Sequence, residues 1–108
     1  MGKMTNILTD KRWYAEDSTV PRDVVFTADK FLSFRRDIND IIDMYGRISI
    51  GDLIELVIGH TGANLKPKYI AYKYYWTNSR DFHYERVNHG EPKPTDTWRL
   101  IANDPIYE

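Results

Sequence analysis

The side chains of this chain best suited to metal binding or proton transfer are three histidines, His60, His83 and His89, with Asp81 and Glu85 close to the second. His83 and Glu85 alternate about Tyr84, a spacing that puts both on one face of a strand. Zinc centres draw on three or four ligands held by an outer shell, and this sequence has no cysteine and no closely spaced histidine pair. The histidines therefore read as solvated side chains, and no metal is expected. Asp81 and His83 would need a third group and a cleft to work as an acid–base pair. No Gly-x-Ser-x-Gly elbow, phosphate-cradling glycine loop or His-Glu-x-x-His helix is present. The sequence predicts no enzyme, no catalytic residues and no cofactor.

Binding chemistry is better represented. Residues 60–93 hold six basic side chains against three acidic ones, whereas residues 1–59 hold eight against ten. Six of the eight tyrosines follow residue 68. Rings interleaved with cations are the composition of interface anchors and of single-strand nucleic-acid platforms. The expected partner-binding set is Lys66, Lys68, Tyr69, Lys73, Tyr75, Arg80 and Arg86. The plainer alternative is that alternate tyrosines form the core face of a sheet while the lysines solvate the other.

Overall charge gives no further direction. Fifteen Lys and Arg nearly balance sixteen Asp and Glu, so no global field favours nucleic acid or membrane. A chain of 108 residues with 42% hydrophobic side chains supports one domain with one core. No apolar run reaches the ~20 residues of a membrane span, and residues 1–10 lack the apolar core of a secretory signal. The expectation is a cytoplasmic protein.

Several elements must position these residues. Residues 1–22 show no periodicity and read as a partly disordered extension, pinned where Trp13-Tyr14 finds an apolar surface; residues 23–108 read as a single domain. Phe31, Phe34, Ile38, Ile41, Ile42 and Tyr45 form one stripe of a helix that Thr27 can cap and Gly46 can end. A second helix is signalled by Ser49 with Asp52 three residues on, and Gly59 is its expected end. Tyr69–Trp76, Phe82–Val87 and Thr97–Ala102 read as strands, the first two joined as a hairpin by Thr77–Asp81. Ile70, Tyr72, Tyr74 and Trp76 should face the helices, leaving Tyr69, Lys73 and Tyr75 exposed, and Asp104-Pro105 should end the sheet. The order predicts an α+β fold, two packed helices followed by a three-stranded antiparallel sheet. A winged-helix outline would require a third helix within residues 61–72.

From Phe26 onward the chain resembles a widespread group of small uncharacterised proteins of tailed phages and prophages. The matching residues are Tyr45-Gly46, Ile48-Ser49-Ile50, Asp52-Leu53 with Leu56, Trp76-Thr77-Asn78, Arg86-Val87 and Leu100 to Pro105. Tyr75 departs from the glycine usual before that tryptophan, and residues 88–96 resemble an insertion. The resemblance implies a phage or mobile-element origin and brings no catalytic residues. The combined expectation is a non-catalytic binding protein that inhibits a host defence or replication protein. Nucleic-acid binding in a reduced winged-helix form and capture of a small nucleotide are the alternatives.

Overall fold

Two glycines and one serine set the helical half of the molecule. The computed structural model describes residues 7–19, 25–87 and 97–107. Helix α1 (Ala28–Tyr45) ends at Gly46, whose φ of 82° is a left-handed conformation that costs glycine nothing, and whose N–H bonds the Ile42 carbonyl at 2.7 Å. Helix α2 (Ile50–Thr61) opens on a reciprocal cap: the Asp52 N–H donates to Ser49 Oγ at 3.0 Å, and the Ser49 N–H donates to Asp52 Oδ2 at 3.1 Å. Ile50, Leu53, Ile54 and Val57 are buried beneath it, against Phe34 and Ile38 of α1.

Three local expectations are corrected. Thr27 precedes α1 but makes no side-chain cap bond. Gly59 stays helical, and α2 runs on to Gly62, which holds the left-handed φ of 68°. Tyr45 leaves the core stripe and is largely exposed, because α1 outruns its partner surface in its last turn.

The strands form two small antiparallel sheets rather than one, so the α+β class is as expected and the single sheet is not. In the first, β1 (Val25–Thr27), β5 (Thr97–Ala102) and β4 (Phe82–Arg86) lie in the order β1-β5-β4, with Phe26 opposite Trp98 and Tyr84 opposite Leu100. Its inner face packs on α1 through Phe26–Phe34, Phe31–Trp98 and Phe31–Tyr84 ring contacts. In the second, β2 (Ile48–Ser49), β3 (Tyr74–Trp76) and β6 (Ile106–Tyr107) lie in the order β2-β3-β6. Asp104-Pro105 thus bends the chain between sheets instead of ending it.

The tyrosine run is the main departure. Tyr69–Lys73 is a 3-10 turn, and only Tyr74–Trp76 is strand. A Cβ on Gly51 would stand 2.4 Å from the Tyr72 ring, so that ring lies directly on the backbone of α2. The turn lets Ala71 enter the core while Tyr72 swings onto this glycine, which a strand's strict alternation would forbid. Thr77–Asp81 consequently carries the chain from the second sheet to the first and is no hairpin. With neither that wing nor a third α-helix among the described residues, the winged-helix outline is not formed.

Residues 7–19 belong to the body of the fold. Leu8, Trp13 and Tyr14 are buried, so the core crosses the boundary expected at residue 22. The segment is stitched to residues 64–68 by Lys68 N–H to Trp13 carbonyl and Ala15 N–H to Lys66 carbonyl bonds, both 2.8 Å, and Trp13 rests on Tyr74 at 4.9 Å.

Ser49→Ala removes one half of the α2 cap, and we expect a loss of about 1 kcal/mol, read as a lower urea midpoint at unchanged slope.

Candidate functional site

The residues expected to share one binding face are distributed over separate places. The Lys66 ammonium pairs with Asp17, and its backbone N–H donates to Ser18 Oγ at 2.7 Å, which ties down the amino-terminal segment. Lys68 lines a cleft of about 500 Å³ with Lys11, Tyr14 and Glu16. Tyr69 is 77% exposed, and the Lys73 ammonium sits 5.1 Å from its ring centroid. Arg86 ends β4, opposite Trp98. Two of the predicted residues, Tyr75 and Arg80, line clefts of clearer character.

The Tyr75 cleft has a volume of about 370 Å³ and is walled by Tyr45, Arg47, Ser49, Asp52, Tyr72 and Tyr75. The α1 terminus, the β2 turn and the 3-10 turn converge to make it. The Arg47 guanidinium stacks 4.7 Å above the Tyr75 ring, and Ile106 of β6 lies beside Tyr75 in the ladder. Tyr45 is 72% exposed and Ile106 48%, so the walls continue outward as an apolar rim. Burial, followed by the negative charge and hydrogen bond of Glu55 and the charge of Asp52, pushes the Tyr72 hydroxyl up to about 12.

The second cleft, about 510 Å³, runs between α1 and β4. Arg35 and Asn39 line it from the helix, Arg80 and His83 from the sheet side, and Phe31 with Trp98 from below. Those two rings stack at 5.1 Å with 15° between their planes. Burial raises the pKa of the Tyr84 hydroxyl, partly offset by the nearby Arg35 charge, and that buried oxygen has no hydrogen-bond partner among the described residues.

The candidate chemical residues do not converge. His60 bonds Asp37 at 2.9 Å and packs edge-on against Phe34, a tie between α2 and α1. Asp81 accepts from Asn103 Nδ2 at 3.2 Å, a tie between β4 and β5 at one end of the first sheet, and makes no pair with His83. His83 and Glu85 do share the outer face of β4, where Glu85 meets Arg99 at 3.6 Å. His89 lies outside the described residues. Among the described residues no group of three His, Cys, Asp or Glu could hold a metal ion, and no helix is long and apolar enough to cross a membrane.

Sequence reasoning missed Tyr45 and Arg47 on one cleft, Ile106 beside it in the ladder, and Arg35 on the other cleft. Tyr45 was hidden by its helical spacing, which fits the core stripe. Arg35 was signalled only by a position on the wet side of α1, which any solvated cation shares.

An unfolded Tyr72 loses its proton near 10, the folded one near 12, so its contribution to stability is complete below pH 10 and disappears as pH rises to 12. Glu55→Gln removes a negative neighbour and should lower this pKa toward 10 without abolishing the shift, because burial is the larger cause. A ring-carbon NMR titration of Tyr72 checks it; an unchanged midpoint would contradict the assignment.

No family model, curated protein or solved structure matches the chain.

Proposed function

We propose that this chain is a non-catalytic, phage-type binding protein that occupies the surface of a host-cell protein, a defence or replication enzyme in the sharpest form. The observation that carries this reading is the Tyr45–Tyr72–Tyr75 cleft with its Ile106 rim and the Arg47 guanidinium stacked inside it. Tyrosine and arginine are the residues that anchor interfaces, tyrosine by burying a large rigid ring at low entropic cost and arginine by its planar, stacking guanidinium. The partner is a folded protein that inserts an apolar side chain between these rings.

Nucleic-acid binding is less well supported at this cleft. Asp52 lines it and Glu55 acts on Tyr72 beside it, so a phosphate backbone would meet like charge. Small-nucleotide capture meets the same obstacle. Support for a phage origin comes from the resemblance of residues 26–105 alone.

The test is quantitative affinity purification from host cells with three baits: the native chain, a Tyr45→Asp/Ile106→Asp variant, and Arg36→Glu on exposed helix surface. One host protein should be enriched by the native chain and by Arg36→Glu, and fall at least about tenfold with the double variant. Equal enrichment by all three baits rejects this face. Enrichment abolished by nuclease promotes the nucleic-acid reading.

A further inference from the structure

The β4 edge of the first sheet, open among the described residues, offers a second, different kind of site. In the order β1-β5-β4, strand β4 has a neighbour on one side only among the described residues. Val87 donates to the Thr97 carbonyl and Asn103 donates to the Asp81 carbonyl, which fixes the alternation of the ladder. Residues 81, 83, 85 and 87 therefore turn their backbone groups toward β5, while Phe82, Tyr84 and Arg86 turn theirs outward. The Phe82 N–H is taken by the Ser79 carbonyl. The outward N–H and C=O of Tyr84 meet no other backbone group in the described residues.

This edge borders the cleft between α1 and β4, whose lining has a single sign of charge. Arg35 and Arg80 are its charged side chains, and no carboxylate among the described residues lines it. Neither Arg35 nor Arg80 forms an ion pair among the described residues. The floor of Phe31, Ile38 and Trp98 is apolar. Among the described residues, a ladder open on one side, two guanidinium groups without an ion pair and an apolar floor together describe what an added strand would use.

We propose that the α1–β4 cleft captures an extended acidic segment of a partner protein, adding it as a fourth strand alongside β4. The main chain of the segment bonds the Tyr84 N–H and C=O, which gives affinity independent of sequence. Its alternate side chains point to α1, where apolar groups meet Phe31 and Trp98, and acidic groups meet Arg35 and Arg80. A second copy of this chain is a poor occupant, because edge-to-edge pairing would bring the same cations together. This site does not depend on the tyrosine cleft; either can exist without the other.

The test titrates the isotope-labelled full chain with an octapeptide that alternates Glu and Val, blocked at both ends. Sliding by one residue lets such a peptide present either face, so register does not decide the result. The expected result is a shift of the Tyr84 amide toward a hydrogen-bonded position, with binding weakened by added salt. Affinity should fall at least about tenfold when the peptide amides are N-methylated, when Lys replaces Glu, and in an Arg35→Glu/Arg80→Glu variant. Both arginines are exposed, so the variant keeps its fold, which circular dichroism verifies. Three results overturn the proposal: no Tyr84 amide shift at millimolar peptide, undiminished binding of the N-methylated peptide, or inorganic phosphate reproducing the same shift. The last would mark a simple anion site.

Discussion

Trp76 is the residue through which the two sheets become one structure. It is 1% exposed and lies on β3, opposite Ile48 of β2. Its ring meets Phe82, the first residue of β4, edge-on at 4.8 Å, and its Nε1 donates to the Asn103 carbonyl at 2.9 Å, between β5 and β6. One side chain thus touches both ladders and the connection that leads from β5 to β6. Strands of two to six residues cannot hold a sheet in water by themselves, so each sheet depends on this junction and on the helices behind it. Asp81 and Asn103 reinforce it with a backbone bond of 3.0 Å and a side-chain bond of 3.2 Å. Replacing a buried tryptophan with a small residue costs about 3–5 kcal/mol, a large share of the stability of a domain this size.

That arrangement explains why two clefts of different character coexist on so short a chain. The second sheet, with the C-terminal end of α1 and the 3-10 turn, carries the tyrosine cleft, where acidic and basic groups are mixed. The first sheet, with the middle of α1, carries a cleft lined by cations. The crossover at residues 77–81 divides the two, and Arg80 belongs to the second because the chain has already changed sheets there. The basic and aromatic residues that looked like one platform in the sequence are therefore split by topology.

The legible parts of the fold were those written in local chemistry. Gly46 after Tyr45, and Ser49 with Asp52, mark helix ends by backbone geometry that tertiary context does not alter. Thr97–Ala102 is a strand at the expected residues. The illegible parts depend on contacts distant in sequence. Nothing within residues 69–76 says that Gly51 leaves room for the Tyr72 ring, yet that contact turns most of a β-rich run into a 3-10 turn. Likewise, Leu8 and Trp13 sit in an aperiodic polar stretch, and only the backbone bonds to residues 66 and 68 give them a place in the core. Of the candidate sites, Tyr75 and Arg80 were legible as residues but not as neighbours.

Native-state hydrogen exchange at low denaturant tests the joint role of Trp76 most directly. If the sheets form one unit, the most protected amides of the β2–β3 and β4–β5 ladders open with the same free energy and the same denaturant dependence. Ladder amides of β2–β3 that open at lower denaturant, while β4–β5 stays protected, would contradict it and show two independently held sheets.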